Sequence, residues 1–192
     1  MFKLKKWLIT LRSVSPIIWN CYSLELQQEM SRIKNNEKDE WEKENWQRKA
    51  EYKDNFAVIP VRWIRSCLYN ACKRSGVKPY FEKSAKATYT SYFQIISYEM
   101  IKDGIVAKKD ALIPLALLLK AQPGSNKSTK VLRIRPLLKD WCVSFTLIDP
   151  AGRMNKEDLS VILETAGMFV GLGDSRPDNY GRFEVSEIKE VK

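Results

Sequence analysis

The 192-residue sequence contains no histidine. That removes the commonest general base, the commonest zinc ligand besides cysteine, and every Ser-His or Cys-His arrangement. A metal–carboxylate nuclease survives the exclusion. However, Asp103, Asp110, Asp149 and Asp174 share no spacing that would bring two carboxylates together on metal ions. We therefore expect no enzymatic activity, no metal and no other cofactor. Cysteine is scarce: Cys21, Cys67, Cys72 and Cys142 are the only four, and the five-residue step from Cys67 to Cys72 is not a metal-knuckle spacing. They read as reduced, mostly buried thiols of an intracellular, cytoplasmic protein. Long apolar runs are missing as well. The longest, Ala111 to Leu119, has nine residues and is broken by Pro114, whereas a bilayer-crossing helix needs about 20. The first sixteen residues carry lysines but no clean apolar core and no small-residue cleavage site, so a signal peptide is not expected. Glycine is sparse, with eight in the chain, yet Gly167, Gly171, Gly173 and Gly181 make four of them within one short stretch.

What the chain has is positive charge. Lys and Arg number 33 against 23 Asp and Glu, a net charge of +10. Such an excess favours an anionic partner, nucleic acid first, with an acidic protein or anionic membrane as the other classes. Residues 22–54 differ from the rest, with nine acidic and seven basic residues and neither glycine nor proline. Their net charge is −2, so the remainder carries +12. Leu26, Met30 and Ile33 have helical spacing among charges of alternating sign. The pattern predicts one or two charged helices, inserted into a single domain and projecting from it, with Trp41 and Trp46 packing back.

Residues 2–14 read as a strand: Trp7, Ile9 and Leu11 alternate with Lys6, Leu8, Thr10 and Arg12, and Pro16 ends it. Pro60 opens a helix whose apolar stripe is Val61, Ile64, Leu68, Ala71 and Cys72, and Gly76 closes it. Arg62, Arg65, Lys73 and Arg74 lie off that stripe. From Arg62 to Lys86 there are seven basic residues against one acid, Glu82, a bias that a merely solvated face does not need. Residues 88–101 are β-branched and aromatic and read as a strand, with a helix over 84–103 as the competing assignment. Tyr89, Tyr92, Phe93 and Tyr98 suit either a core or base stacking. Asp103-Gly104 signals a hairpin returning through 105–107. Ala111 to Leu119 reads as a buried segment, helix or strand. Val131 to Arg135 and Trp141 to Ile148 read as strands. Asn155 caps a final helix whose stripe is Leu159, Ile162, Leu163, Ala166 and Val170. A glycine-rich turn and a closing strand with Phe183 and Val185 follow.

Two helices separated by strands, each leading back into strand, make the β-α-β-β-α-β order of an α+β, ferredoxin-like (RRM-like) antiparallel sheet. Residues 22–54 form a charged helical insertion after the first strand.

Three patches together resemble the repeat-associated (RAMP) superfamily of CRISPR proteins, and most nearly the backbone subunits of multi-subunit effectors. They are Ser13-Val14-Ser15-Pro16-Ile17-Ile18, then Ile59-Pro60-Val61-Arg62-Trp63-Ile64-Arg65, and lastly Gly167 with Gly171-Leu172-Gly173-Asp174 and Tyr180-Gly181-Arg182-Phe183. The resemblance implies a modified RRM-like fold that grips guide RNA along its backbone and assembles side by side in a multi-subunit or homo-oligomeric complex. It implies that Gly171, Gly173 and Gly181 are the loop glycines, and that Arg62 and Arg65 lie on a helix facing RNA. With the charge pattern, the expected contact set is Lys6, Arg12, Arg62, Arg65, Lys73, Arg74, Gly171, Gly173, Arg176, Tyr180, Gly181 and Arg182. Two alternatives stay open. The glycines also suit simple helix termination with close packing, Asp174, Asp178 and Glu184 being at hand to pair Arg176 and Arg182. The charged insertion also suits a phage or mobile-element protein-binding module, an inhibitor or adaptor of a nucleic-acid machine.

Overall fold

The computed structural model describes residues 4–77, 105–120, 130–149, 152 and 154–191. At its centre is β1 (Lys5–Ser13), flanked on both sides by antiparallel partners, β8 (Cys142–Asp149) and β9 (Phe183–Val191). The alternation seen in the sequence holds: Trp7, Ile9 and Leu11 are buried, as are Val143, Phe145 and Leu147 of β8. Those residues share one face because strand side chains alternate with period two. The order β8-β1-β9, all antiparallel, is the arrangement that a ferredoxin-like topology gives its first, third and fourth strands.

Two helices pack together and close this face. Helix α3 (Val61–Ser75) starts after Pro60 and ends at Gly76, which takes the left-handed φ of 66°. Its buried residues are Ile64, Cys67, Leu68, Ala71 and Cys72. Helix α4 (Lys156–Thr165) is capped by Asn155, whose side chain accepts the Asp158 amide at 2.7 Å. Leu159, Ile162, Leu163, Ala166 and Val170 are all buried, as the stripe predicted. Full burial of each large apolar side chain is worth about 1.5–3 kcal/mol, so this stripe dominates the docking of α4. None of the described helices is long and apolar enough to cross a membrane.

Two smaller sheets, not anticipated, flank the central one. The first joins β2 (Ile17–Ile18), β7 (Lys130–Leu138) and β6 (Ile113–Lys120). The second joins β3 (Tyr52–Lys53), β4 (Phe56–Val58) and β5 (Ile105–Lys108), which comes into contact with β8. The expected buried segment at 111–119 is therefore corrected. It is largely strand β6, at the rim of its sheet, with Ile113 and Leu118 exposed. An apolar run cannot by itself distinguish a core strand from one that covers only one side of a sheet. The expected strand at 88–101, its aromatics and the Asp103-Gly104 turn lie outside the described residues.

The charged insertion does form two helices, α1 (Leu24–Arg32) and α2 (Lys38–Asn45), followed by a 3-10 turn at Trp46–Lys49. It does not simply project. Glu42 and Lys49, both fully buried, form an ion pair against β7. The Lys49 ammonium donates to the carbonyl of Ile134 at 2.9 Å, and the Ile134 amide donates to Glu42 at 2.8 Å. Strand β2 pairs only with Leu137 and Leu138, so beyond it no strand among the described residues pairs with that edge of β7. The two side chains supply the missing acceptor and donor. Burial holds Lys49 below the usual lysine range, opposed by its bond to Glu42. Trp46 packs onto the core, as expected, and Trp41 donates to Glu29 at 2.9 Å.

Candidate nucleic-acid interface

The site is built where α3 ends and α4 turns back into β9. The buried stripe of α3 leaves Asn70, Lys73 and Arg74 pointing away from the core. Helix α4 runs into a π-helical turn, Ala166–Val170, closed by the Gly171 amide donating to the Ala166 carbonyl at 2.8 Å. Ala166, Gly167 and Val170 stay buried, while Met168 and Phe169 are 67% and 56% exposed. Isolated π turns occur often at functional sites.

From 171 to 181 the chain takes a left-handed φ at Gly171, Gly173, Ser175, Asn179 and Gly181. Ser175 and Asn179 do so without being glycine, at some cost in strain. They bracket a 3-10 turn, Arg176–Asp178, that holds Arg176. The first and third patches of the family resemblance meet here. The Gly181 amide donates to Pro16 O at 2.7 Å, Asp174 N to Ile18 O at 3.0 Å, and Arg182 N to Ser15 Oγ at 2.8 Å.

The glycines thus serve the fold rather than presenting amides outward. The amides of Gly171 and Gly181 are spent on Ala166 and Pro16. A Cβ on Gly181 would overlap the Leu172 carbonyl, and one on Gly173 would stand 2.7 Å from Ile18 O. The close backbone approach that calls for glycine is to the chain itself.

The arginines behave otherwise. Asp174 is taken by Arg135 on β7, at 2.6 Å, and Arg135 also donates to Ser175 Oγ at 2.9 Å. Among the described residues, Arg74, Arg176 and Arg182 make no ion pair. Arg74 donates to the Phe169 carbonyl at 2.9 Å, and Arg182 donates to the Arg176 carbonyl at 3.1 Å. The other Arg182 terminal nitrogen, Nη1, is buried without a hydrogen-bond partner. The three arginines line one pocket of about 460 Å³, together with Asn70, Phe169, Val170 and Pro177 among the described residues. No carboxylate is among these lining residues. Beneath it, burial pushes the Cys67 thiol up to about 12, with Arg176 and Arg182 pulling the other way.

Of the residues expected from sequence, the fold brings Arg74, Arg176 and Arg182 together. Gly171, Gly173, Gly181 and the half-buried Tyr180 form the turn that carries two of them. Lys73 is exposed one residue away, its ammonium 3.8 Å from the Tyr69 ring centroid. Arg62 does not line the pocket and is paired with Glu51; Arg65, one turn on, is half-buried and also outside it. Lys6 and Arg12 lie on the outer face of the central sheet, with Arg12 opposite Cys142 and Glu184. Among the described residues that face carries Leu8, Thr10, Ser144, Thr146, Glu187 and Lys189 but no aromatic side chain. Base stacking on the open sheet, as in many RRMs, has no platform there.

Asn70 and Phe169 were missed. Phe169 follows Ile162 by seven residues, so a continued α-helix would have placed it beside the buried stripe. The π turn changes the phase and turns it outward. The usable signal was Gly167, the one glycine inside the helical pattern, whose Cβ would collide with the Phe183 carbonyl.

Fold and site together define an α+β protein of antiparallel sheets with an arginine pocket at a helix–turn junction, free of carboxylates among its described lining residues. No protein-family model matches the chain, and no curated protein matches it. Among solved structures it is similar to a chain in the cryo-EM structure of the Type III-B Cmr-β complex bound to cognate target RNA, with a TM-score of 0.57 at 10% identity. The match covers 99% of this chain and 61% of that one, so this chain spans less than two thirds of its neighbour's length. At such identity the likeness is one of fold, and it agrees with the α+β architecture of antiparallel sheets expected from the sequence.

Proposed function

We propose that the chain is a non-catalytic RNA-binding subunit of a CRISPR effector-like ribonucleoprotein. It grips the backbone of a guide RNA and assembles side by side with other subunits in the cytoplasm. The observation that carries this reading is the pocket of Arg74, Arg176 and Arg182, three cations with no carboxylate among the described residues lining it. Guanidinium groups match phosphate geometry and stay charged at every physiological pH. Holding three of them together without a counter-charge is unfavourable until an anion arrives. The fold likeness to a chain of an RNA-bound complex supports RNA over other polyanions. The glycine-rich turn serves as the scaffold that aims Arg176 and Arg182.

The test is a filter-binding titration of single-stranded RNA against salt, with Arg176→Ala/Arg182→Ala as the variant. Losing two charge-assisted phosphate contacts should weaken binding by at least about tenfold at low salt. It should also lower the log–log salt slope, by about 0.7 for each phosphate no longer neutralised on a single strand. Binding that is absent, or indifferent to ionic strength, overturns the proposal.

A further inference from the structure

The pocket has a second feature that phosphate neutralisation does not use. Phe169 stands at its wall, 56% exposed, on the π-helical turn that rotates it out of the core. Its own carbonyl is held by Arg74 at 2.9 Å. Phe169 is therefore tied to Arg74 through its backbone and lines the same pocket as Arg74, Arg176 and Arg182. Among the described residues, Arg182 Nη1 is buried there without a hydrogen-bond partner. Asn70 adds a side-chain amide, whose nitrogen donates to Ser66 O at 2.8 Å, leaving its oxygen as a polar edge. A continuous groove would track many phosphates. The three arginines and Phe169 instead line one open pocket of about 460 Å³.

We propose that this pocket is a single-nucleotide site, in which Arg74, Arg176 and Arg182 hold one phosphate of a single strand while its base stacks on Phe169. The inference rests on the RNA-binding reading above and narrows it to one nucleotide per subunit. A phosphate and the base it carries are adjacent, so a ring beside the arginines fits a nucleotide and has no use for bare phosphate. Any base has a stacking face, so the site is sequence-tolerant. The left-handed residues Ser175 and Asn179 keep Arg176 in place for this geometry.

The test is a double cycle. Wild type and Phe169→Ala are titrated with a fluorescein-labelled uridine dodecamer and with a strand of the same phosphates built from base-free spacers. For the uridine strand, Phe169→Ala is expected to weaken binding by about tenfold, within the range for one stacked base. Its salt slope should not change, since no charge is removed. For the base-free strand the substitution should have no effect, and Phe169→Trp should restore uridine binding with quenched tryptophan fluorescence. An equal penalty on both strands, or none on either, overturns the nucleotide site while leaving RNA binding intact. If wild type binds neither strand, the RNA-binding reading falls and this inference with it. Phe169 is a surface residue, and matching thermal melts of the variants confirm that folding is unaffected.

Discussion

The buried Glu42–Lys49 pair makes a sharp prediction about stability. Both side chains are fully buried, and between them they bond the amide and the carbonyl of Ile134. Glu42→Gln keeps an oxygen for the amide but strips Lys49 of its counter-charge. Breaking a buried pair from one side costs about 3–5 kcal/mol. At about 2–4 °C per kcal/mol for a chain of this size, the melting temperature should fall by roughly 6–20 °C. Replacing both partners, as Glu42→Leu with Lys49→Met, often restores stability at other buried pairs. Here it should not, because the Ile134 N–H and C=O would both be left without partners, at about 1–3 kcal/mol each. The double variant should stay roughly 2–6 kcal/mol below wild type. Guanidinium unfolding followed by tryptophan fluorescence, with linear extrapolation to water, measures both values. A double variant as stable as wild type, or a Glu42→Gln loss under about 1 kcal/mol, would refute the role of the pair as a substitute strand edge.

Gly181→Ala should be severely destabilising, by more than about 3 kcal/mol, because a Cβ would overlap the Leu172 carbonyl at a left-handed φ of 72°. Gly76→Ala, with open space around its Cβ, should cost only about 1 kcal/mol from its left-handed φ, and thermal melts separate the two. The Cys67 thiol, pushed by burial from 9.0 to about 12, should resist iodoacetamide at pH 8 while the exposed Cys142 is alkylated. The unfolded chain loses the Cys67 proton near 9.0 while the folded chain keeps it. That contribution to stability is therefore complete below pH 9 and lost as pH rises through about 12. Cys67→Ala should flatten the alkaline fall in unfolding free energy; an unchanged curve counts against the assignment.

Much of this protein was legible in its sequence because the signals were local. Alternation along Trp7, Ile9 and Leu11 set the buried face of β1. The 3.6-residue stripes, Pro60, Gly76 and the Asn155 cap set α3 and α4, and the glycine cluster marked a turn that only unusual backbone angles could make. Charge bias pointed to α3 and to Arg176 and Arg182 as separate halves of one surface. Other features depended on residues far apart in the chain. Whether Asp174 pairs with a neighbouring arginine or with Arg135 is a question of tertiary distance, and the fold gave it to Arg135, leaving Arg176 and Arg182 without a carboxylate partner among the described residues. The polar residues Glu42 and Lys49 are buried where they hydrogen-bond the Ile134 carbonyl and amide on β7, which no strand among the described residues pairs on that side. Phe169 was turned outward because a π turn, closed by the Gly171 amide and accompanied by tight packing of Gly167 on β9, broke the helical period that would have set it beside the buried stripe. Sequence periodicity determines which side chains share a face; only the packed chain decides which charges find partners and where the period slips.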